Sequence, residues 1–157
     1  IMKNNKLGWC FGLKDGLKVV ESSETLAKSY LKEAKSSLER AEKNFKDNDL
    51  LWTTVVIYYA EYYALYSFLQ RIGIKCENHF CSILAVSILL GEEKTDTINR
   101  HKEKRIDAQY YMKVGREKEV ENMLWEAKIF VSFFNDFVLN LNEKEIKLYR
   151  EKIKQLK

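Results

Sequence analysis

No proline occurs anywhere in the 157 residues. A proline ring fixes φ and removes an N–H, so its absence leaves helices free to run long without an enforced kink. Neither sign of charge dominates: 27 basic and 23 acidic residues are mixed along the chain for a net charge of +4. That is the pattern of solvated helix faces rather than of a basic arm, so nucleic-acid binding is permitted but not indicated. Cysteine is scarce and odd in number, with Cys10, Cys76 and Cys81. No signal peptide with an apolar core is recognisable ahead of them, and the expected compartment is a reducing cytosol. Long uninterrupted apolar runs are missing too. The strongest, Leu50 to Leu69, is broken by Thr53, Thr54, Glu61 and Ser67 and carries five tyrosines, which fits a buried core helix better than a membrane span. There is no glycine-rich phosphate loop, no Ser-His-Asp order, no paired-carboxylate motif, no repeat and no low-complexity segment.

What is present is helical periodicity and enough apolar content, 46%, for one domain with its own core. From Thr25 to Lys46, Leu26, Tyr30, Ala34, Leu38, Ala41 and Phe45 recur every three or four positions and draw a stripe down one helix, with Ser22 or Ser23 as its N-cap. A second helix, about Asp49 to Ile72, is apolar nearly all round, which in a globular domain means that other helices surround it. Gly73 ends it, and a third helix runs through Phe80, Ile83, Leu84, Val86 and Leu90 to Gly91. A fourth covers Thr95 to Met112, and a fifth runs from Glu117 to Asn140. Asn142 and Glu145 have capping-box spacing and open a charged last helix to Lys157. Residues 1–22, with apolar runs flanking Lys14-Asp15-Gly16, read as an extended arm or a short β-hairpin. The expectation is therefore an all-α, up-and-down bundle of four to six helices. Its segments are an N-terminal arm at 1–22, the bundle at 23–141 and the terminal helix at 142–157, packed on the bundle or extending from it.

Three stretches together resemble a HEPN domain of the uncharacterised archaeal and bacterial branch. They are AKSYLKEAKSSLERAEKN, WTTVVIYYAEYYALYSFLQRIGIKCENH with its paired aromatics and alanines, and RIDAQYY, spanning roughly Ser23 to Phe134. The family's catalytic branch consists of metal-independent ribonucleases marked by an arginine followed, four to six residues on, by a histidine at a dimer interface. Arg105 stands where that arginine would, but Tyr110 takes the place of the histidine. Arg71 precedes His79 by eight positions and Arg100 adjoins His101, so neither pair restores the signature. A histidine moves a proton near neutral pH, whereas an ordinary tyrosine titrates near 10, so the resemblance does not imply nuclease activity.

Arg105 has two open readings: a bidentate clamp on a phosphate of RNA or nucleotide, with Tyr110 stacking a base, or an internal ion pair with a core carboxylate. Gln109, four positions on, shares its helix face. Glu61 is the expected carboxylate partner, because a carboxylate among Tyr58, Tyr62 and Leu65 must be paired, hydrogen-bonded or protonated. The tyrosines 58, 59, 62, 63 and 66 are core, with some hydroxyls at a rim; Tyr62 joins the candidate ligand residues. Cys76, His79 and Cys81 form C-x2-H-x-C, and Cys10 would complete a zinc quartet of atypical spacing. The competing reading has His79 capping the third helix and the cysteines as small buried apolar residues. No cofactor is expected.

The favoured function is a non-catalytic module that dimerises and binds RNA, a nucleotide or, as the resemblance implies, a partner nucleotidyltransferase in a toxin-antitoxin-like system. The alternatives are a ribonuclease toxin using Arg105 with Tyr110, His79 or His101, and a purely structural oligomeric subunit.

Overall fold

A computed structural model describes residues 2–157, except for the side chain of Asn4. Its elements, in chain order, are α1 (Met2–Gly12), β1 (Lys18–Val19), α2 (Glu24–Lys46), α3 (Leu50–Ile72), β2 (Ile74–Lys75), α4 (His79–Leu90), α5 (Asp96–Tyr111), α6 (Glu117–Leu139) and α7 (Glu143–Lys154), with one 3-10 turn at Glu92–Lys94. The fold is all-α, and the only sheet among the described residues is the two-residue antiparallel pairing of β1 with β2.

Local chemistry sets the helix ends. The Ser23 hydroxyl accepts from the Leu26 N–H, Asp49 from Trp52, and Asn142 forms the full capping box with Glu145. Gly73 closes α3 at φ 79, a left-handed conformation that glycine adopts without penalty. A Cβ there would also run into the Val20 carbonyl and the Arg150 guanidinium. That guanidinium donates to the carbonyls of Val20 at 2.9 Å and Ile72 at 2.7 Å, which ties α7 to the corner where α3 ends.

The hub is α3. It packs on α2, α5 and α6, also touches α4 and α7, and buries sixteen of its twenty-three residues. Small residues on α2 (Ala27, Ala34, Ser37, Ala41) let the two helices lie close. Phe68 and Phe134 are fully buried in the main core, each contributing about 1.5–3 kcal/mol of burial. A smaller cluster of Ala41, Ile57, Val120, Met123, Leu124 and Ala127 joins α2, α3 and α6.

The beginning of the chain departs from expectation. It is neither an arm nor a self-paired hairpin: residues 2–12 are helical, and the following strand pairs with 74–75, far along the chain. Leu7 and Cys10, three positions apart, share a buried face, and tertiary burial of that face overrides the weak turn signal behind it. Cys10 is bonded to Cys81, joining α1 to α4 across a separation of 71 residues. The expectation of unbonded cysteines is thus corrected: an odd count leaves room for one pair plus the buried thiol of Cys76. No helix among the described residues is long and apolar enough to cross a membrane.

Candidate functional site

The inward face of α5 consists of Ile98, His101, Arg105 and Ala108, three or four positions apart, lying against α3. His101 is fully buried, and its Nδ1 lies 3.0 and 2.9 Å from the two carboxylate oxygens of Glu61, itself fully buried on α3. The expected Glu61–Arg105 pair is therefore not formed, and the antiparallel crossing of the two helices explains why. One turn forward on α5, from His101 to Arg105, corresponds to about one turn back on α3, from Glu61 to Tyr58. Arg105 accordingly lands on an aromatic face. Its guanidinium carbon lies 4.6 Å from the centre of the Tyr58 ring, 5.8 Å from that of Tyr59 and 6.0 Å from that of Tyr110. Nη1 donates to Oε1 of Gln109 at 3.3 Å, while the buried Nε–H has no partner. On α5, Arg100 and Lys104 make ion pairs with Glu126 and Glu119, and His101 contacts the Glu61 and Glu126 carboxylates. Among the described residues Arg105 has none, so its charge is held in an aromatic cradle without a carboxylate.

Tyr58 links this cation to His79. Its hydroxyl shares a 2.8 Å hydrogen bond with Nδ1 of His79, and the Tyr62 ring stacks on the imidazole with centroids 3.8 Å apart and planes 15° off parallel. Tyr62 in turn donates to Ser82 Oγ at 3.0 Å. The cap of α4 is Asn78, whose side chain accepts from the Cys81 N–H; His79 follows it and is freed from the capping role expected of it. Burial first, then the charges of Arg105 and Lys102, hold the His79 imidazole down to about 4, so it is neutral at pH 7. Lys102 is itself pulled below its ordinary range, by burial and then by Arg105. Burial raises the Tyr58 and Tyr62 phenols and keeps both neutral. Two cations, Arg105 and Lys102, and a neutral imidazole thus share one half-buried corner, where an anion would relieve the repulsion between the two charges.

Glu61 is shifted the other way. Burial pushes its carboxyl up to about 7 against the opposing hydrogen bond from His101. Between about pH 4.5 and 7 the folded chain retains a proton at Glu61 that the unfolded chain releases, so this group makes stability fall as pH rises. Over about pH 4 to 6.5 the unfolded chain binds a proton at His79 that the folded chain refuses, so that group makes stability rise with pH. The two slopes oppose each other in the wild type. Urea melts from pH 4.5 to 6.5 are expected to show stability rising with pH in Glu61→Gln and falling in His79→Gln. Parallel profiles for the two variants would contradict both assignments.

The proposed zinc quartet is not assembled. Cys10 and Cys81 are consumed in their disulfide, and among the described residues no three His, Cys, Asp or Glu side chains converge as metal ligands. Cys76 turns away from His79, its thiol 3.2 Å from the Asn78 carbonyl.

A family model described as HEPN domain matches residues 27–137, more than half of the chain. The chain belongs to the HEPN family. No curated protein and no solved structure matches it. The HEPN match covers α3, α4 and α5, which carry Tyr58, Glu61, Tyr62, His79, His101, Arg105, Gln109 and Tyr110, but not α1. Of the residues singled out in sequence, the HEPN fold brings Arg105, Gln109, Tyr110, Tyr62 and His79 to one corner, leaving Glu61 a turn deeper with His101. Lys102 and the Tyr58–His79 link escaped sequence reading. Lys102 was within reach of it, standing three positions before Arg105 on the same helix face. The link between residues 21 positions apart carries no spacing signal.

Proposed function

We propose that this HEPN chain is a non-catalytic homodimeric module that binds RNA or a nucleotide through its phosphate. The Arg105 guanidinium is the clamp, Lys102 and neutral His79 are supporting donors, and the tyrosines are stacking walls. The observation that carries this reading is Arg105 without a carboxylate partner: a mostly buried guanidinium with an orphan Nε–H, aromatic faces around it and the neutral Gln109 oxygen as its acceptor is prepared for an anion from outside. Tyr110, Tyr111 and Met112, each about two-thirds exposed at the end of α5, form an apolar tip beside the clamp. That tip suits a second copy or a partner nucleotidyltransferase, as such interfaces are rich in tyrosine and methionine.

A second reading, a ribonuclease, is favoured by one specific observation. His79 lies across Tyr58 from Arg105, supplying an imidazole that the Arg105–Tyr110 spacing lacks. Its depressed basicity makes it a weak proton acceptor, which favours binding over proton abstraction. Incubation with total RNA, beside Arg105→Ala, separates the two. Retention of intact RNA, lost in the variant, is the expected result. Cleavage that depends on His79 would establish the enzyme instead.

A further inference from the structure

Beside the clamp a cleft of about 220 Å³ opens between α1 and α5, with α4 as its floor. Lys3 and Lys6 come from α1, Phe80 and Ile83 from α4, and Asn99 and Lys102 from α5; no acidic residue lines it. Lys3 is ion-paired with Glu92 outside the cleft, so Lys6 and Lys102 are its unpaired cations. Phe80 and Trp9 are 43% and 56% exposed, far more than core aromatics, and meet edge-on with ring centroids 6.5 Å apart. Lys102 belongs to both places: its Nζ is 5.9 Å from the centre of the Phe80 ring, and its charge acts on Arg105 and His79. Lys102 is therefore common to the cleft and the clamp.

We propose that this cleft is a binding track for single-stranded RNA, with a base stacked on the exposed Phe80 ring, against whose side Trp9 packs at 69°, and neighbouring phosphates held by Lys102 and Lys6, leading to the phosphate at Arg105. The inference rests on the binding function proposed for Arg105 and extends it from one phosphate to a polynucleotide. Cations along a groove that holds an exposed aromatic ring are what a flexible strand of phosphates and planar bases needs. An acidic peptide would satisfy the lysines but leave the ring without a planar partner. Half of the track comes from α1, outside the 27–137 match, so it is a feature of this chain rather than of the family as a whole. The Cys10–Cys81 disulfide joins the residues that directly follow Trp9 and Phe80, fastening the two rings together. Reduction is therefore expected to loosen the track while leaving the clamp in place.

Fluorescence anisotropy with a labelled single-stranded RNA of about ten nucleotides, run beside binding of adenosine 5′-monophosphate to the full chain, tests this. In the double variant Trp9→Ala, Phe80→Ala, RNA affinity is expected to fall about tenfold or more with nucleotide affinity unchanged. Lys6→Glu is expected to weaken RNA binding and flatten its salt dependence. Dithiothreitol is expected to bring the wild type to the RNA affinity of Cys10→Ser, Cys81→Ser, again without effect on the nucleotide. Arg105→Ala weakens both ligands. If the track variants bind RNA like the wild type while Arg105→Ala loses the nucleotide, the track is overturned and the clamp stands. If neither ligand binds, both fall. If polyglutamate displaces the RNA as effectively as unlabelled RNA does, the occupant is an acidic protein segment and the track proposal is overturned.

Discussion

Replacing His101 with alanine is expected to destabilise the protein by about 1–3 kcal/mol, the range for leaving a buried polar group without its hydrogen-bond partner. Glu61 has no solvent exposure, and His101 Nδ1 is its hydrogen-bond partner at both oxygens. Once the imidazole is gone, the carboxyl must stay protonated or remain buried without a partner. The pair connects outward, since Nε2 of His101 lies 3.6 Å from the Glu126 carboxylate, which is itself ion-paired with Arg100. Changing both partners together, Glu61→Leu with His101→Leu, is expected to recover most of the loss, because a well-packed apolar pair needs no internal solvation. Urea denaturation of the two single variants and the double variant measures the coupling. Additive losses would mean that the pair does not stabilise the crossing of α3 and α5.

Arg105→Ala is expected to weaken nucleotide or RNA binding by about tenfold to hundredfold, the equivalent of the roughly 1.5–3 kcal/mol carried by hydrogen bonds to a charged group. Arg105→Lys is expected to rescue little of this. The guanidinium lies 4.6 Å from the centre of the Tyr58 ring and presents a planar fork, neither of which an ammonium reproduces. Global stability should change far less than affinity, because Arg105 has no carboxylate partner to orphan and contributes mainly a cation–π contact of about 0.5–2 kcal/mol. Isothermal titration beside a thermal melt separates the two effects. A collapse of the melt with unchanged affinity in the remaining folded protein would make Arg105 a structural residue.

The helices were legible because their signals are local. The extent of α2, the all-round apolarity of α3 and the caps at Ser23, Gly73 and Asn142 lie where the sequence places them, since each is fixed by neighbours within one or two turns. The expected stripe on α2 holds at Ala34 and Ala41, but at its start the buried positions are Ala27 and Leu31, and Leu26 is 48% exposed. The first helix was hidden, because its burial comes from α4, some seventy residues away, through Leu7, Cys10 and the disulfide. The site shows the same division. Arg105, Gln109 and Tyr110 share one helix and were found together. That Glu61 needed a partner followed from burying a carboxylate among aromatics, but which partner depended on the antiparallel register of α3 and α5. A one-turn offset decides between His101 and Arg105, and nothing in either helix alone records it. His79 likewise reaches Tyr58 only through the chain reversal at Gly73.

The most direct test of the phosphate clamp is the ¹⁵N–¹H resonance of the Arg105 Nε–H group, identified by its absence in Arg105→Ala, during titration with adenosine 5′-monophosphate. That N–H is buried and has no acceptor among the described residues. A saturable downfield shift of the proton, as a phosphate oxygen accepts from it, is the expected result. A resonance that does not move while the nucleotide binds elsewhere, or one already shifted downfield before any is added, would contradict the role assigned to Arg105.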